Sequence, residues 1–189
     1  MREATNTNAR NYPMNCWYVA ATSAELGPEL LARQLLGHSV VLYRQSTGSA
    51  VALVNRCPHR GAPLARGRLV DDHVVCGYHG FTFAADGACI NVPSQEHVPP
   101  GSRVQAFPIR EEPPFVWIWP GDPTKSTLID PPRLPWLRDH DSWGSAGGIE
   151  HVAANYLLLH DNALDLTLWV PVTSRTALTW CFATDGGAA

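Results

Sequence analysis

The sequence carries little charge and no surplus of positive charge. Charged residues make up 16% of its 189 residues, and 14 lysines and arginines face 17 aspartates and glutamates, for a formal net charge of −3. Nucleic acids and anionic membranes are bound mainly through an excess of positive charge. The near balance offers no basic stripe for phosphates, so we expect no nucleic-acid partner.

Long apolar segments are also missing. No apolar run reaches the roughly 18 residues of a membrane-spanning helix, and the segment from Met1 to Asn15 lacks the apolar core of a signal peptide. We therefore expect no membrane partner and a cytoplasmic protein with reduced thiols. The five cysteines are then expected to be metal ligands or buried residues, not disulfides.

The residues that are abundant favour strands. The hydrophobic fraction of 45% is sufficient for a sizeable core, and 16 prolines with 7 tryptophans favour a fold rich in strands and loops over a helical bundle. The length is that of one domain, or of one domain and part of a second. We predict a mainly β fold.

Predicted strands alternate with turn signals from residue 16 to residue 119. Apolar and β-branched stretches predict strands at residues 16–21, 39–44, 50–54, 72–76, 80–83, 89–92, 104–109 and 114–119. Gln45–Ser49 supplies a glycine for a hairpin turn. Residues 24–36 favour a turn or a short helix, interrupted by Gly27-Pro28.

The composition changes after residue 123. Residues 124–148 are rich in proline, glycine, aspartate and serine, which predicts a linker, and residues 149–166 have the apolar spacing of a partly buried helix. The apolar positions of that helix are Tyr156, Leu157, Leu159, Ala163, Leu164 and Leu166. The predicted organisation is an arm over residues 1–14, a first domain over 15–123, a linker over 124–148 and the start of a second domain over 149–189.

Two short motifs contain candidate metal ligands. Cys57-Pro58-His59 is followed, after sixteen residues, by Cys76-Gly77-Tyr78-His79. Each half places one thiol and one imidazole on a short loop between predicted strands, so the four side chains can converge on one metal centre. Two sulfur and two nitrogen ligands suit a tetrahedral zinc ion, or a two-iron cluster in which one iron takes both cysteines and the other both histidines.

The order of the ligands favours the cluster. Zinc fingers usually pair cysteine with cysteine and histidine with histidine inside each half, whereas each half is mixed here, as split ligation of two irons requires. Glycines follow both halves, and glycine lets the backbone approach a cluster closely. The candidate ligands are therefore Cys57, His59, Cys76 and His79.

The stretch Cys57-Pro-His-Arg-Gly-Ala-Pro-Leu64, followed by Cys76-Gly-Tyr-His-Gly-Phe81, resembles the Rieske [2Fe-2S] motif. The surroundings resemble the oxygenase component of Rieske non-haem iron oxygenases, in the subgroup of vanillate demethylase, phenoxybenzoate dioxygenase and toluenesulfonate monooxygenase. The segments that carry this second resemblance are Asn15–Ala20, Phe115–Trp119, Gly121–Pro123 and Asn155–Asp165. Together the resemblance covers about residues 15 to 167.

The resemblance implies a Rieske domain of stacked antiparallel sheets that holds one [2Fe-2S] cluster. Cys57 and Cys76 would hold the inner iron, and His59 and His79 the outer iron, while Tyr78 would either bond to cluster sulfur or only pack. A reductase with flavin and an iron–sulfur centre would supply the electrons. The resemblance also allows a homo-oligomer, since oxygenases of the family form trimers.

The second metal site of the family is expected to be missing. In the family, two histidines and a carboxylate bind a mononuclear Fe(II), and an aspartate links it to a neighbouring Rieske domain. Asp165 matches that aspartate, but the expected histidines fall at Leu168 and at Val172 or Thr173. Because no histidine occurs after His160, we expect no mononuclear iron site and assign no catalytic residue.

The remaining candidate ligands are interpreted as structural. His160 and Asp161 lie near the missing site, but adjacent helix residues point about 100° apart. The sequence after Thr167 does not resemble the family, so residues 149–189 are expected to be a short α/β start of a truncated catalytic domain, ended by a deletion or frame change. Buried or solvated roles are the expectation for Cys16, Cys89, Cys181, His38, His73, His97, His140 and His151.

The resemblance predicts the Rieske electron-transfer module of an oxygenase component. Such a component hydroxylates or demethylates aromatic acids such as vanillate or toluenesulfonate with O2 and electrons from a reductase. One alternative is a stand-alone Rieske ferredoxin, which would have no use for Asn155–Asp165. An inactive relic of the oxygenase is a second alternative, and a structural zinc protein, which the ligand order disfavours, is a third.

Overall fold

The computed structural model describes residues 12–139, 141–144, 155, 157–158 and 161, and its described strands form three antiparallel sheets. The first sheet contains β1 (Tyr18–Thr22), β10 (Ile109–Glu112) and β11 (Phe115–Ile118). The second contains β2 (Leu31–Leu35), β3 (His38–Arg44), β4 (Ala50–Val54) and β9 (Ala106–Phe107). The third contains β5 (Arg68–Val70), β6 (His73–Val75), β7 (Thr82–Phe83) and β8 (Cys89–Asn91). Short 3-10 turns occur at Leu64–Arg66, Pro123–Lys125 and Pro135–Leu137.

The second sheet is the middle layer of the fold. Side chains alternate along β3, so that Val41 and Tyr43 enter one core and Val40 and Leu42 enter another. We call them the loop-side core and the far core. The loop-side core includes Val74, Phe83 and Cys89 of the third sheet, and the far core includes Ala20, Ala21, Val116 and Ile118 of the first sheet. The prediction of a mainly β fold with stacked antiparallel sheets is confirmed.

The predicted hairpin is present between β3 and β4. Its turn closes through Gln45 N–H, which donates to the Ser49 carbonyl at 2.9 Å. Gly48 has a φ of +88°, a conformation that side chains with a Cβ rarely adopt. Gly48 therefore provides the positive φ that the turn requires, as the sequence predicts.

The prediction for residues 24–36 is wrong in its second half. Leu31–Leu35 is a strand, β2, which pairs antiparallel with β3. Its side chains alternate between half-buried and exposed, as expected for one covered face of a sheet. Arg33 obscures the alternation because it is polar on the covered face, where Glu25 pairs with its guanidinium at 2.6 Å.

The single strand predicted over residues 104–109 is two strands in different sheets. β9 ends at Phe107 and β10 begins at Ile109. Pro108 separates them, because proline has no N–H to continue a ladder. The short strand β5 was not predicted; its sequence, Arg68-Leu69-Val70, has too few apolar residues to show a strand pattern.

The fold divides into two compact units, with the boundary between Arg133 and Leu134. All described strands lie in the first unit. In the part of the chain that the structure describes, no helix is long and apolar enough to cross a membrane. The predicted domain limits at residues 14, 123 and 148 stay predictions.

The second unit is described at few positions. Leu157, Leu158 and Asp161 have helical backbone. Leu157 was predicted on the covered side of a helix, yet it is 53% exposed. The other positions of the predicted helix over residues 149–166, residues 1–11 of the arm and the tail after Thr167 lie outside the described residues.

Candidate metal centre

Two loops with the same hydrogen-bond pattern carry the candidate ligands. The first loop is Cys57–Ala62, which follows β4, and the second loop is Cys76–Phe81, between β6 and β7. In each loop the cysteine N–H donates to the carbonyl five residues on, at 2.8 Å. The N–H four residues on donates to the cysteine carbonyl, at 2.9 Å in the first loop and 3.0 Å in the second. Each cysteine is thereby fixed at the root of its loop.

Glycine is needed at the same point of both loops. The donor four residues after the cysteine is Gly61 in one and Gly80 in the other, with φ of +71° and +74°. At Gly80 the space is also closed, because an added Cβ would lie 2.8 Å from Cγ of Pro93. At Gly77 an added Cβ would lie 2.7 Å from the carbonyl oxygen of Arg66. The second loop is therefore packed directly against the segment that follows the first.

The two cysteines lie inside the fold. Cys57 and Cys76 are each 2% exposed and belong to the loop-side core. Burial raises the pKa of the Cys57 thiol, and the adjacent Cys76 thiol raises it further, against an opposing effect of the His59 and Arg60 N–H groups. A metal cation between the sulfurs would reverse this preference for the neutral thiol, since coordination deprotonates thiols.

The two histidines lie at the surface. His59 and His79 are exposed, and their ring centroids are 4.7 Å apart. His59 stacks on Phe81 at 4.7 Å with 17° between the ring planes, and Tyr78 lies 3.8 Å from His79. Tyr78 is 62% exposed. Its ring therefore packs on an imidazole at the tip of the second loop.

The four side chains form two pairs and not one convergent group. Across the described ranges, no three histidine, cysteine, aspartate or glutamate side chains lie so that they could hold a single metal ion. One pair is the two buried cysteines, and the other is the two exposed imidazoles. The close contact of Gly77 with the Arg66 carbonyl, in the segment that follows the first loop, holds the two loops together. A buried sulfur pair and an exposed nitrogen pair fit a two-iron centre with different ligands on each iron.

Comparison with known proteins identifies the family of the region that contains the two loops. Residues 16–108 match the family described as the Rieske [2Fe-2S] domain. The chain contains a Rieske domain. The candidate centre lies within the matched residues, and both cysteines and both histidines of the two loops are present there.

Relatives of the Rieske domain in this chain are oxygenase components. The toluene-4-sulfonate monooxygenase system iron–sulfur subunit of Comamonas testosteroni is 45% identical over 163 residues, which are 85% of this chain and 47% of the relative. The vanillate O-demethylase oxygenase subunit of Pseudomonas sp. (strain HR199 / DSM 7063) is 39% identical over 165 residues, covering 82% of this chain and 44% of the relative.

A solved structure gives the same result. The crystal structure of dicamba monooxygenase bound to 3,6-dichlorosalicylic acid has a TM-score of 0.76 and 42% identity, and the match covers 81% of this chain and 45% of that chain. The chain spans about half the length of the curated relatives it matches. The Rieske domain is therefore homologous to oxygenase components with aromatic substrates.

Sequence reasoning missed Asn55, which supports the first loop. Its side chain is 9% exposed, and its Oδ1 accepts a hydrogen bond from Ala65 N–H at 2.7 Å. Its Nδ2 donates to Ser39 Oγ at 3.2 Å, and its N–H donates to the Ser39 carbonyl at 2.8 Å. Asn55 thus ties the start of β3 to the turn after the first loop. An amide two residues before the first cysteine of a ligand loop is the signal that could have identified it.

Among the other side chains considered from the sequence, the structure describes Cys16, Cys89 and Asp161, which belong to neither loop. Cys16 donates to the Pro13 carbonyl at 3.1 Å, and Cys89 is buried in the third sheet, where burial raises its thiol pKa. Asp161 is exposed. Outside the described residues lie His140, His151, His160, Asp165 and Cys181, and also Leu168, Val172 and Thr173, the positions at which the family's histidines were expected.

Proposed function

We propose that Cys57, His59, Cys76 and His79 hold one [2Fe-2S] cluster and that the Rieske domain transfers single electrons. The observation that carries the proposal is the pair of equivalent loops with buried thiols and adjacent exposed imidazoles. The bound group would supply a one-electron redox couple, with a potential raised by histidine ligation.

The protein shields the cysteine side of the candidate centre from water and leaves the histidine side open to partners. The loop-side core keeps water away from the cysteines, which are 2% exposed. His59 and His79 reach solvent, so a partner can come within contact distance of an imidazole. Electrons would therefore enter and leave at the histidine side.

We further propose that the domain belongs to an oxygenase component acting on aromatic acids such as vanillate or toluenesulfonate. The Rieske match ends at residue 108, yet similarity to the oxygenase components extends over 163 and 165 residues. A stand-alone ferredoxin would give no reason for similarity beyond the domain. The relatives are also about twice the length matched, and we propose that the mononuclear iron site implied by the family resemblance lies in the half that this chain does not match.

The electron donor, the oligomeric state, the cellular location and the domain limits are part of the same proposal. The electron donor would be a reductase with flavin and an iron–sulfur centre, the oxygenase would form a homo-oligomer, and both would work in the cytoplasm. The domain limits of 15–123 for the Rieske domain, 124–148 for the linker and 149–189 for the start of the next domain complete it. The mononuclear Fe(II) ligands are not assigned to any residue of this chain.

The cluster is tested by reconstituting the chain anaerobically with iron and sulfide. We expect two irons and two sulfides per chain, as a [2Fe-2S] cluster requires, a brown colour that bleaches on reduction, and the low-g electron resonance of histidine ligation. Cys76→Ala and His59→Ala should abolish that resonance. Cys89→Ala is the matched control, because Cys89 is a buried cysteine of the same core that belongs to β8 and to neither loop. A colourless protein with stoichiometric zinc would contradict the proposal.

The oxygenase assignment is tested separately. Turnover of vanillate or toluene-4-sulfonate is measured with a matched reductase, for this chain and for the chain joined to the remaining half of a relative. We expect no product from this chain alone and product from the joined protein. Absence of product from a joined protein that holds its cluster would contradict the oxygenase assignment and leave electron transfer intact.

A further inference from the structure

Phe81 closes the second loop and enters the core. Its carbonyl accepts the hydrogen bond of Cys76 N–H at 2.8 Å. Its side chain is 8% exposed and belongs to the loop-side core, together with Cys57 and Cys76. The backbone hydrogen bond and the core packing therefore both fix the position of the Phe81 ring.

The Phe81 ring contacts the other loop. It lies against the imidazole of His59, which belongs to the first loop, with ring centroids 4.7 Å apart and 17° between the ring planes. These values describe a stacked pair of rings, an arrangement that aromatic side chains favour. The contact therefore joins a side chain that is held by the core to a candidate ligand that is exposed to solvent.

The ring beside the other candidate histidine has a different environment. Tyr78 lies 3.8 Å from His79 with 32° between the ring planes, and Tyr78 is 62% exposed. An exposed side chain changes rotamer within nanoseconds, whereas a ring packed in a core is confined by its neighbours. His59 therefore rests on a rigid ring, and His79 lies beside a mobile one.

We propose that Phe81 is a positioning residue, whose ring holds the His59 imidazole in the orientation in which that imidazole binds the outer iron. The inference rests on the proposed function and adds a residue that acts through His59. A side chain that is oriented before binding loses less rotamer freedom when it binds. Partners that fix the orientation of a ligand histidine contribute to metal affinity in the same way.

Phe83 is a matched position for testing this role. It is a second phenylalanine of the loop-side core, 0% exposed, and lies in β7. Among the described residues, Phe83 is in none of the ring pairs that His59 and His79 form. A replacement at Phe83 therefore weakens the same core and leaves the stack on His59 in place.

The decisive measurement is the nitrogen hyperfine coupling of each ligand histidine, recorded by pulsed electron resonance on the full chain loaded with iron and sulfide and then reduced. In Phe81→Leu we expect one of the two nitrogen couplings to spread over a wider range, because the His59 ring then takes several orientations. The coupling from His79 should be retained. In Phe83→Leu both couplings should match those of the unmodified chain, although both variants lose core packing and unfold at a lower temperature.

Replacement by another ring provides a second measurement. Phe81→Tyr keeps the aromatic face and should keep the nitrogen coupling narrow, whereas Phe81→Met fills the space with a flexible side chain and should behave like Phe81→Leu. Iron should pass to a chelator about tenfold faster from Phe81→Leu and Phe81→Met than from the unmodified chain. Phe81→Tyr and Phe83→Leu should release iron at nearly the original rate.

The possible outcomes separate this inference from the proposed function. If the unmodified chain binds no cluster, both fail. If the cluster is present but Phe81→Leu and Phe81→Met give the couplings and the iron release of Phe83→Leu, the positioning role is overturned and the proposed function remains. Spreading of both couplings in all of these variants would show a general effect of the core and would also overturn the positioning role.

One measurement needs no variant and therefore does not depend on whether the substituted chains fold. In the metal-free, unmodified chain, nuclear Overhauser contacts are expected between the ring protons of His59 and those of Phe81, as the 4.7 Å stack requires. Absence of these contacts in the folded chain would overturn the proposal.

Discussion

Single glycines decide whether the ligand loops can form. Gly61 and Gly80 both have φ near +70°, at +71° and +74°, but their surroundings differ. The nearest atom to an added Cβ is the flexible end of Arg56 at 3.3 Å in one case and Pro93 at 2.8 Å in the other. The two loops are equivalent in backbone, and the second is the more tightly enclosed.

We therefore predict that Gly80→Ala destabilises the fold more than Gly61→Ala. The positive φ alone costs about 1–2 kcal/mol for an alanine, and the contact with Pro93 adds to it at Gly80 only. Urea unfolding of the metal-free proteins measures the difference. Gly27→Ala is the control, because it has open space around the added Cβ and should leave the midpoint unchanged. Equal midpoints for all three variants would contradict the prediction.

Asn55 supports the first loop through the hydrogen bonds of its side chain. Removing the acceptor in Asn55→Ala leaves Ala65 N–H without its partner at 2.7 Å. We expect a loss of about 1–3 kcal/mol of unfolding free energy and faster loss of iron to a chelator. Asn55→Asp retains an oxygen at Oδ1 and should recover part of both.

The matched comparison for Asn55 is Ser39→Ala. That variant removes only the weaker contact, to Nδ2 at 3.2 Å, so it should cost less stability than Asn55→Ala. A chelator rate for Asn55→Ala equal to that of the unmodified chain would show that Asn55 does not hold the first loop.

At the residue scale, the sequence predicts the four candidate ligands but does not predict the side chains that support their loops. The four candidate ligands follow from motif spacing, because the motif lies within two short loops. Asn55 was missed because its partners, Ser39 and Ala65, are 16 and 10 residues away along the chain. Contacts of this kind depend on strand register, which no local pattern specifies.

At the scale of elements, one ion pair joins two sheets. Arg44, at the end of β3, binds Glu111 of β10 through two bonds of 2.8 Å. Arg44 also donates to the Leu26 carbonyl at 2.9 Å. The hydrogen bond from Arg44 lowers the pKa of Glu111, against the opposing effect of burial. The pair therefore links the end of β3 in the second sheet to β10 in the first sheet.

Stability should depend on the pH through this pair. Because the pKa of Glu111 is lower in the folded protein, its stabilisation is complete above the ordinary value of 4.5 and is lost as the pH falls through the folded pKa. We predict that Glu111→Gln costs about 1–2 kcal/mol near neutral pH and almost nothing once the carboxyl is protonated. Unfolding midpoints measured from neutral to acidic pH provide the check.

The control for this pair is Glu29→Gln. Glu29 is exposed, and its removal should leave the difference from the unmodified chain flat across the same pH range. A cost for Glu111→Gln that stays constant into acid would show that the carboxylate charge is not the source.

Strand prediction succeeded where apolar alternation was uninterrupted and failed where a polar residue or a proline intervened. β3, β4 and β11 lie within the predicted limits apart from one residue at the start of β3, whereas β2 was hidden by Arg33 on its covered face. Pro108 moved the chain from one sheet to another inside a single predicted strand. Such changes depend on how the strands distribute between sheets, and the periodicity of the sequence carries no information about that distribution.

At the scale of the whole molecule, the metal centre belongs to only one of the two cores beside the middle sheet. Cys57 and Cys76 are members of the loop-side core, and the far core contains neither. Binding of a metal centre therefore stabilises mainly the loops and the third sheet, since binding energy is coupled to the structure that carries the ligands.

Removal of the cluster should loosen the molecule unevenly. After chelation under reducing conditions, we expect a lower thermal midpoint and faster amide exchange in the first loop, the second loop and β5–β8. Exchange in β1, β10 and β11 should change little, because these strands pack on the far core. Uniform acceleration over all strands would indicate that the two cores unfold as one.

The two ligand loops share one hydrogen-bond pattern but differ in the position of the histidine. The imidazole comes two residues after the cysteine in the first loop and three residues after it in the second. The exposed ring of His59 stacks on the buried Phe81, and the exposed ring of His79 is flanked by Tyr78. If the two rings were related by two-fold symmetry, a partner protein could bind them in either of two orientations. The surface formed by the two histidine rings is asymmetric, so a partner protein that contacts both rings can bind in one orientation only.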